Sequence, residues 1–392
     1  MVKKMINPYL TELENDNVFA KVSEKTAAYK KAHPEKDVVS LGIGDVSIPI
    51  VKPIIEAMHK AVDDLANIET FSGYGNYYGC QFLKEKILEN EYKKYGFTTD
   101  EIYVSDGTKS DSTNILEMFP VNSKILVGNP MYPIYRDGAK ALSRNVYTTD
   151  VDEEFKMIVP NEKYDIVYIC SPNNPIGNAY TYKDLEKWIE YAHKYDAKII
   201  LDNVYQAFVK DPDIPESIYE LEGSKQVAIE MRSFSKKASF TGVRCSYYVV
   251  PNKLEENINT YWKRRTINRF NGACYVAQRG AEAFYLDECK PLIEKNIEYY
   301  LENAAILREC FLRNGHQVIG GQNAPFMWVK AKGEMTSWQA YDFFLNELNI
   351  IVIPGIIFGS NGDGYFRVSA LGKREDVNKA VERIDSYYEK EN

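Results

Sequence analysis

The run Met231-Arg232-Ser233-Phe234-Ser235-Lys236-Lys237-Ala238-Ser239-Phe240-Thr241-Gly242-Val243-Arg244 leads from an apolar segment (226–231) into a polar turn that presents Lys236, with Arg244 eight residues on. A lysine that forms a Schiff base must be fixed in place and kept partly neutral, and burial and a neighbouring cation both lower its pKa. Arg244 is such a cation, and its planar fork of donors also suits a phosphate. The same residues suit a polar loop with surface lysine and arginine, and spacing alone does not separate the two. Three other places have chemical potential. A strand at 102–104 runs into Ser105-Asp106-Gly107-Thr108-Lys109 and then a helix, so free amides and the helix dipole converge on an anion site at Gly107, Thr108 and Lys109; many α/β turns share this pattern. Asp202 stands at the end of a strand, where a carboxylate commonly caps a helix. In Tyr365-Phe366-Arg367-Val368-Ser369, alternation puts Arg367 on the face opposite Phe366 and Val368. A guanidinium there either grips a carboxylate with two parallel bonds or lies on the surface of an edge strand.

These stretches keep company with Leu41-Gly42-Ile43-Gly44-Asp45, Ser171-Pro172-Asn173-Asn174-Pro175, Phe270-Asn271-Gly272-Ala273 and Leu371-Gly372-Lys373-Arg374-Glu375-Asp376. Together and in this order the chain resembles the fold-type I, pyridoxal 5′-phosphate (PLP)-dependent aminotransferases of class I/II, and among them the LL-diaminopimelate aminotransferases. The resemblance implies PLP held by Lys236, with Asp202 keeping the pyridine nitrogen protonated so that the ring acts as an electron sink. It implies Tyr205 and Asn174 on the ring oxygen and Tyr132, rigid between two prolines, over one ring face. Gly107, Thr108, Lys109, Ser233, Ser235 and Arg244 would hold the phosphate, with Tyr74 reaching in from a second subunit. The substrate would meet Ile43, Gly44, Asn174 and Arg367, together with Tyr77 and Asn271. Lys236 would then be the general base and acid at the substrate Cα.

The chain departs from that pattern in places. The loop Gly73-Tyr74-Gly75-Asn76-Tyr77-Tyr78-Gly79 carries Asn76-Tyr77-Tyr78 where the family usually has Pro-Glu-Gln, so a neutral Tyr77 replaces the acid that faces a distal ammonium. Asn17 replaces a tyrosine, Ile176 a threonine, Ser239 a glycine, and Cys245-Ser246-Tyr247 stands for Leu-Gly-Trp. The reaction is therefore expected to be amino transfer between an amino acid and a 2-oxo acid, with an altered distal pocket.

Composition narrows the field. The 392 residues suit two domains, expected at 46–288 (large, PLP-binding) and at 1–45 with 289–392 (small, with an N-terminal arm). A net charge of -8 without a basic stripe argues against a nucleic-acid partner. No stretch has the length and apolarity of a membrane span or a signal peptide. Six cysteines without a Cys-x-x-Cys pair read as free thiols of a cytoplasmic protein, and four scattered histidines show no metal-ligand spacing. Strands alternating with helices predict an α/β fold: a mostly parallel seven-stranded sheet with its site along the carboxyl edge, plus a second, smaller α+β domain. The resemblance adds a homodimer with shared active sites. The competing readings are a PLP lyase, racemase or decarboxylase, which would use the same lysine and aspartate, and a non-enzymatic PLP-fold binding protein. A nucleotide-binding α/β protein lacks its glycine fingerprint here.

Overall fold

The computed structural model describes residues 6–7, 18–42 and 44–391. Helix α1 (Val18–Ala32), strand β1 (Val39–Ser40), α2 (Lys52–Ala66) and α3 (Gln81–Ile87) precede the main sheet. There follow β2 (Ile102–Ser105), α4 (Thr108–Asn114), β3 (Ile125–Val127), α5 (Ile134–Ala141), β4 (Val146–Thr148) and β5 (Ile166–Cys170). Next come α6 (Tyr182–Tyr195), β6 (Lys198–Asp202), β7 (Ala228–Ser233), the one-turn helix α7 (Phe234–Lys237) and β8 (Ser246–Val249). Helices α8 (Ile258–Ile267), α9 (Tyr275–Ala283) and the long α10 (Lys290–Arg313) lead to β9 (Val318–Gly320) and β10 (Phe326–Lys330). The chain ends with α11 (Ser337–Leu348), β11 (Ile350–Ile351), β12 (Ile353–Pro354), β13 (Tyr365–Ser369) and α12 (Arg374–Glu391).

The seven-stranded sheet has the order β2-β8-β7-β6-β5-β3-β4. Only β8 runs against its neighbours; the other pairings are parallel. Strands β5 and β7 are buried along their whole length, as expected where helices cover both faces of a parallel sheet. Because β2 and β7 both oppose β8, they share the direction of β3, β5 and β6. Five strand ends therefore deliver Ser105, Val127, Cys170, Asp202 and Ser233 to one edge, and the loops that follow them carry the polar motifs.

A second, antiparallel sheet of order β12-β13-β10-β9 has its own core with α10, α11 and α12, and β1 pairs in parallel with β11. Strand β13 lies between β12 and β10, so Arg367 is on an interior strand and not on an edge. Phe366 and Val368 enter that core, as alternation requires.

Several local expectations change. Helix α3 does not run on past Ile87 but gives way to a π-helical turn at Leu88–Tyr92 and a 3-10 turn at Lys93–Tyr95. The wider turn sends Glu91 and Tyr92 inward together: Tyr92 donates to Glu230 at 2.6 Å and Glu91 meets Lys237 at 2.9 Å. Strand β7 runs on to Ser233, so Lys236 sits on a helical turn. The Thr181–Asp184 capping box starts α6 as its sequence implies. Four cysteines are buried, Cys80 is half-buried and Cys274 exposed, and all are free thiols. Among the described residues no helix is long and apolar enough to cross a membrane, and no group of His, Cys, Asp and Glu could hold a metal ion.

The two sheets meet backbone to backbone. Gly177 (φ 81°) leaves no room for a Cβ, which would collide with the Phe326 carbonyl oxygen, and Gly320 (φ 79°) abuts the Ile176 carbonyl. Gly177→Ala should therefore destabilise the chain by about 2–4 kcal/mol, from both the left-handed backbone and the overlap. Chemical denaturation measures this, and a loss below about 0.5 kcal/mol would mean the joint is loose.

Candidate active site

A cavity of about 670 Å³ opens at the carboxyl edge of the main sheet. Its wall includes Lys236, Ser235 and Arg244 from the β7–β8 connection, Thr108 and Lys109 from the start of α4, and Tyr132 before α5. Asn174, Asp202 and Tyr205 come from the ends of β5 and β6, and Gly44 and Arg367 close it from the smaller sheet's side.

Lys236 donates to the Gly44 carbonyl. Burial brings its pKa down to about 8; Asp45 opposes this, and the positive charges of Arg367 and Arg244 add to it. Its neighbour Lys237 points the other way, 2.9 Å from Glu91 and over the rings of Phe234 (4.7 Å) and Phe284 (4.9 Å). Glu91 also meets Arg232 at 3.2 Å and accepts from the Tyr285 hydroxyl at 2.5 Å and from Tyr247. Burial pushes the Glu91 carboxyl up, but Lys237 and Arg232 outweigh it and hold it at about 2. This buried cluster anchors α7 from behind, so its one turn cannot rotate and Lys236 stays aimed at the cavity.

Arg244 adopts φ 65° and donates to Ser235 Oγ at 3.3 Å and to the Thr241 carbonyl at 3.2 Å. Its guanidinium lies against Gly107, where a Cβ would collide with it. Gly107 also takes φ 148°, a conformation that residues with a Cβ rarely adopt, so glycine suits this close approach of the two parts of the wall. Ser233 is placed differently from Ser235. It is 2% exposed, caps α7 by accepting from the Ser235 amide at 3.0 Å, and is absent from the cavity wall.

Asp202 is 7% exposed. One oxygen, Oδ2, accepts from the Tyr135 hydroxyl at 2.6 Å, while the buried Oδ1 has no partner. Burial raises its pKa to about 6, with the Tyr135 hydrogen bond and, more weakly, the nearby Val204 amide acting against the rise. Tyr205 is buried beside the Phe326 ring, with centroids 5.2 Å apart.

Arg367 is 5% exposed. It donates to Asn174 Oδ1 and to the Gly42 carbonyl, each at 2.8 Å, and its Nε is buried without a partner. Its guanidinium lies over Phe326 (4.7 Å) and Phe358 (5.1 Å). Among the described residues it has no carboxylate within salt-bridge distance, and burial lowers its pKa to about 10. A buried cation without a counter-ion is costly unless an anion arrives to meet it. With Asn174 Oδ1 taken by Arg367, the amide Nδ2 is left as a donor.

Three expected site residues lie elsewhere on this chain. Tyr74 is 87% exposed. Tyr77 lines a separate cavity of about 420 Å³ with Asp106, Arg265, Arg269 and Phe270. Asn271 is exposed in the adjoining loop, where Gly272 touches the Asn76 carbonyl. Ile43 and Asn17 fall outside the described residues. Sequence reasoning missed Tyr135, Cys170 and the Glu91 cluster. Tyr135 gave no local signal: it lies in the first turn of α5, and its partner Asp202 is 67 residues away.

The sequence model of the family "aminotransferase class I and II" matches residues 36–384. An LL-diaminopimelate aminotransferase of Phocaeicola vulgatus is 42% identical, the match covering 97% of this chain and 98% of that protein. Another from Lachnospira eligens is 42% identical over the same shares. The solved structure of the L,L-diaminopimelate aminotransferase from Chlamydomonas reinhardtii superposes with a TM-score of 0.89 at 35% identity, covering 94% of this chain and 95% of that one.

An amine attacks an aldehyde only when unprotonated. The rate at which the cofactor-free chain captures an added aromatic aldehyde phosphate should rise about tenfold per pH unit and level off near the Lys236 pKa of about 8. Stopped-flow absorbance follows this. A rise continuing towards 10.5 would mark an ordinary, water-exposed lysine.

Proposed function

This chain belongs to the class I and II aminotransferases, PLP-dependent enzymes that exchange an amino group between small amino and 2-oxo acids, and from that premise we propose that Arg367 receives the substrate α-carboxylate while Lys236 does the proton transfer. The observation that carries this is the buried guanidinium of Arg367, without a counter-ion among the described residues, in the same cavity as a lysine of depressed pKa. The lining fits PLP: the unpartnered Asp202 Oδ1 suits a protonated pyridine nitrogen, and the Gly107–Arg244 contact leaves a rim of donors at Thr108, Lys109 and Ser235 for a phosphate. Tyr205 and the Asn174 amide would donate to the ring oxygen, and Tyr132 would cover a ring face. When bound, PLP supplies a sink for the electrons left at the substrate Cα. Asp202 would hold the proton on the ring nitrogen, and Lys236, as a neutral amine, would take the proton from the substrate Cα and deliver it to the cofactor C4′. Arg367 fixes the carboxylate so that the Cα–H bond keeps its angle, and Ser233 serves from beneath by holding Ser235.

We assign residues 46–288 to the large domain and 1–45 with 289–392 to the small one. The main sheet lying within 102–249 and the β1–β11 pairing support this division. A homodimer is the proposed assembly: Tyr74, Tyr77 and Asn271 would act on the partner's cavity, supported by the exposure of Tyr74 and the shared loop surface. Free cysteines support a cytoplasmic location. The near full-length identity to LL-diaminopimelate aminotransferases makes that dibasic diacid the first proposed donor. A second reading, a donor with a neutral or aromatic side chain, is favoured by Tyr77 in place of an acid.

Lys236→Ala should abolish both the visible absorbance of the covalently held cofactor and amino transfer; survival of both would mean that another group does the chemistry. Arg367→Lys should lower kcat/KM by at least about a hundredfold, because the two-point grip is lost. Bleaching of the cofactor band with LL-diaminopimelate, glutamate and aromatic amino acids decides the donor, and fast bleaching by an aromatic donor alone would replace the first reading with the second.

A further inference from the structure

We propose that Tyr135 is a positioning residue of this site, its hydroxyl locking one oxygen of Asp202 so that the other remains free for the pyridine nitrogen. This rests on the assignment of Asp202 given above. The Tyr135 hydroxyl lies 2.6 Å from Asp202 Oδ2 and also meets the Cys170 thiol, which lines the same cavity. Its ring stacks on Tyr168 (4.9 Å, 15°) and meets Tyr132 edge-on at 5.8 Å. Tyr168 is held in turn by the Ser112 carbonyl of α4, the helix whose start faces the phosphate rim.

The chain Ser112–Tyr168–Tyr135–Asp202 therefore ties the ring-nitrogen partner to the phosphate end through two helices, α4 and α5, and two strands, β5 and β6. A carboxylate on a short side chain can rotate about its terminal torsion, which is soft and two-fold. Tyr135 removes that freedom at Oδ2, and Oδ1 is left unclaimed. Tyr132, Tyr135, Tyr168, Tyr205, Cys170 and Asp111 all sense the Asp202 charge, and Tyr135 supplies the largest of the contributions that stabilise its ionised form. Removing the hydroxyl leaves burial less opposed, so the carboxyl would hold its proton to higher pH.

The test compares Tyr135→Phe with Asp202→Ala and the parent, all as holoenzyme. Tyr135→Phe, which keeps the ring, should lower kcat about ten- to hundredfold with KM within about threefold. The PLP dissociation constant, read by absorbance, should rise about tenfold. The acid limb of the kcat profile should move to higher pH. If Tyr135→Phe lowers only the unfolding temperature and leaves the pH limb, the PLP affinity and kcat in place, Tyr135 is structural and the proposal is overturned. If Asp202→Ala itself keeps kcat and PLP affinity, the Asp202 assignment fails and takes the proposal with it. A dead Asp202→Ala beside an unchanged Tyr135→Phe removes the proposal and leaves the assignment standing.

Discussion

The costliest feature of this molecule is a set of charged side chains buried in one cavity with their partners withheld. Among the described residues Arg367 has no carboxylate within salt-bridge distance, and Asp202 keeps an oxygen without a donor. Burial holds the Lys236 amine down at a pKa of about 8. A chain selected for stability alone would pair or expose such groups, because an unpaired buried charge costs several kcal/mol. Their retention makes chemical sense when a zwitterionic substrate and an anionic cofactor complete the set. The rest of the structure is organised to pay for it. The apolar clusters on both faces of the main sheet and the Glu91 cluster behind α7 supply the rigidity.

That rigidity has to be shared between two sheets. Lys236, Asp202 and Asn174 come from the parallel sheet, but Arg367 comes from the antiparallel one, and it spans the joint by donating to Asn174 on one side and to Gly42 on the other. Gly177 and Gly320 let the two backbones touch directly above this bridge. Side chains at that contact would hold the sheets apart and separate the carboxylate grip from the lysine. The joint thus sets the distance between two functional groups as well as closing the core.

How much of this the sequence disclosed follows from where the signals are local. The parallel strands announced themselves as apolar runs, and Arg367 was placed by period-two alternation that the β10–β13 register matches. The short edge strand β4, whose Tyr147 and Thr148 are exposed, carries no apolar run and escaped notice. So did β9, only three residues long and ending in Gly320. Helix α11 was hidden by its aromatic and polar content, although Thr336 and Gln339 form a capping box. Glu91 and Tyr135 were illegible for a different reason. Their partners, Lys237 and Asp202, lie 146 and 67 residues away, and no local pattern encodes a contact that only the folded topology creates.

The substitutions that set this chain apart fall into two physical groups. Tyr247 and Ser246 face inward and are answered inside this chain: the Tyr247 hydroxyl reaches Glu91, and Ser246 donates to the buried Asp111 at 3.0 Å beside Ser105. Ser239 stands where glycine is usual and takes φ 58°, the left-handed conformation glycine would adopt at lower cost. These changes repack the support beneath α7 without touching the cavity wall. Tyr77 is of the other kind. It lies outside the Lys236 cavity, lining a separate one, on a loop surface shared with Asn271's neighbour Gly272. A change at Tyr77 can therefore leave the wall around Lys236 undisturbed, because the two belong to different cavities.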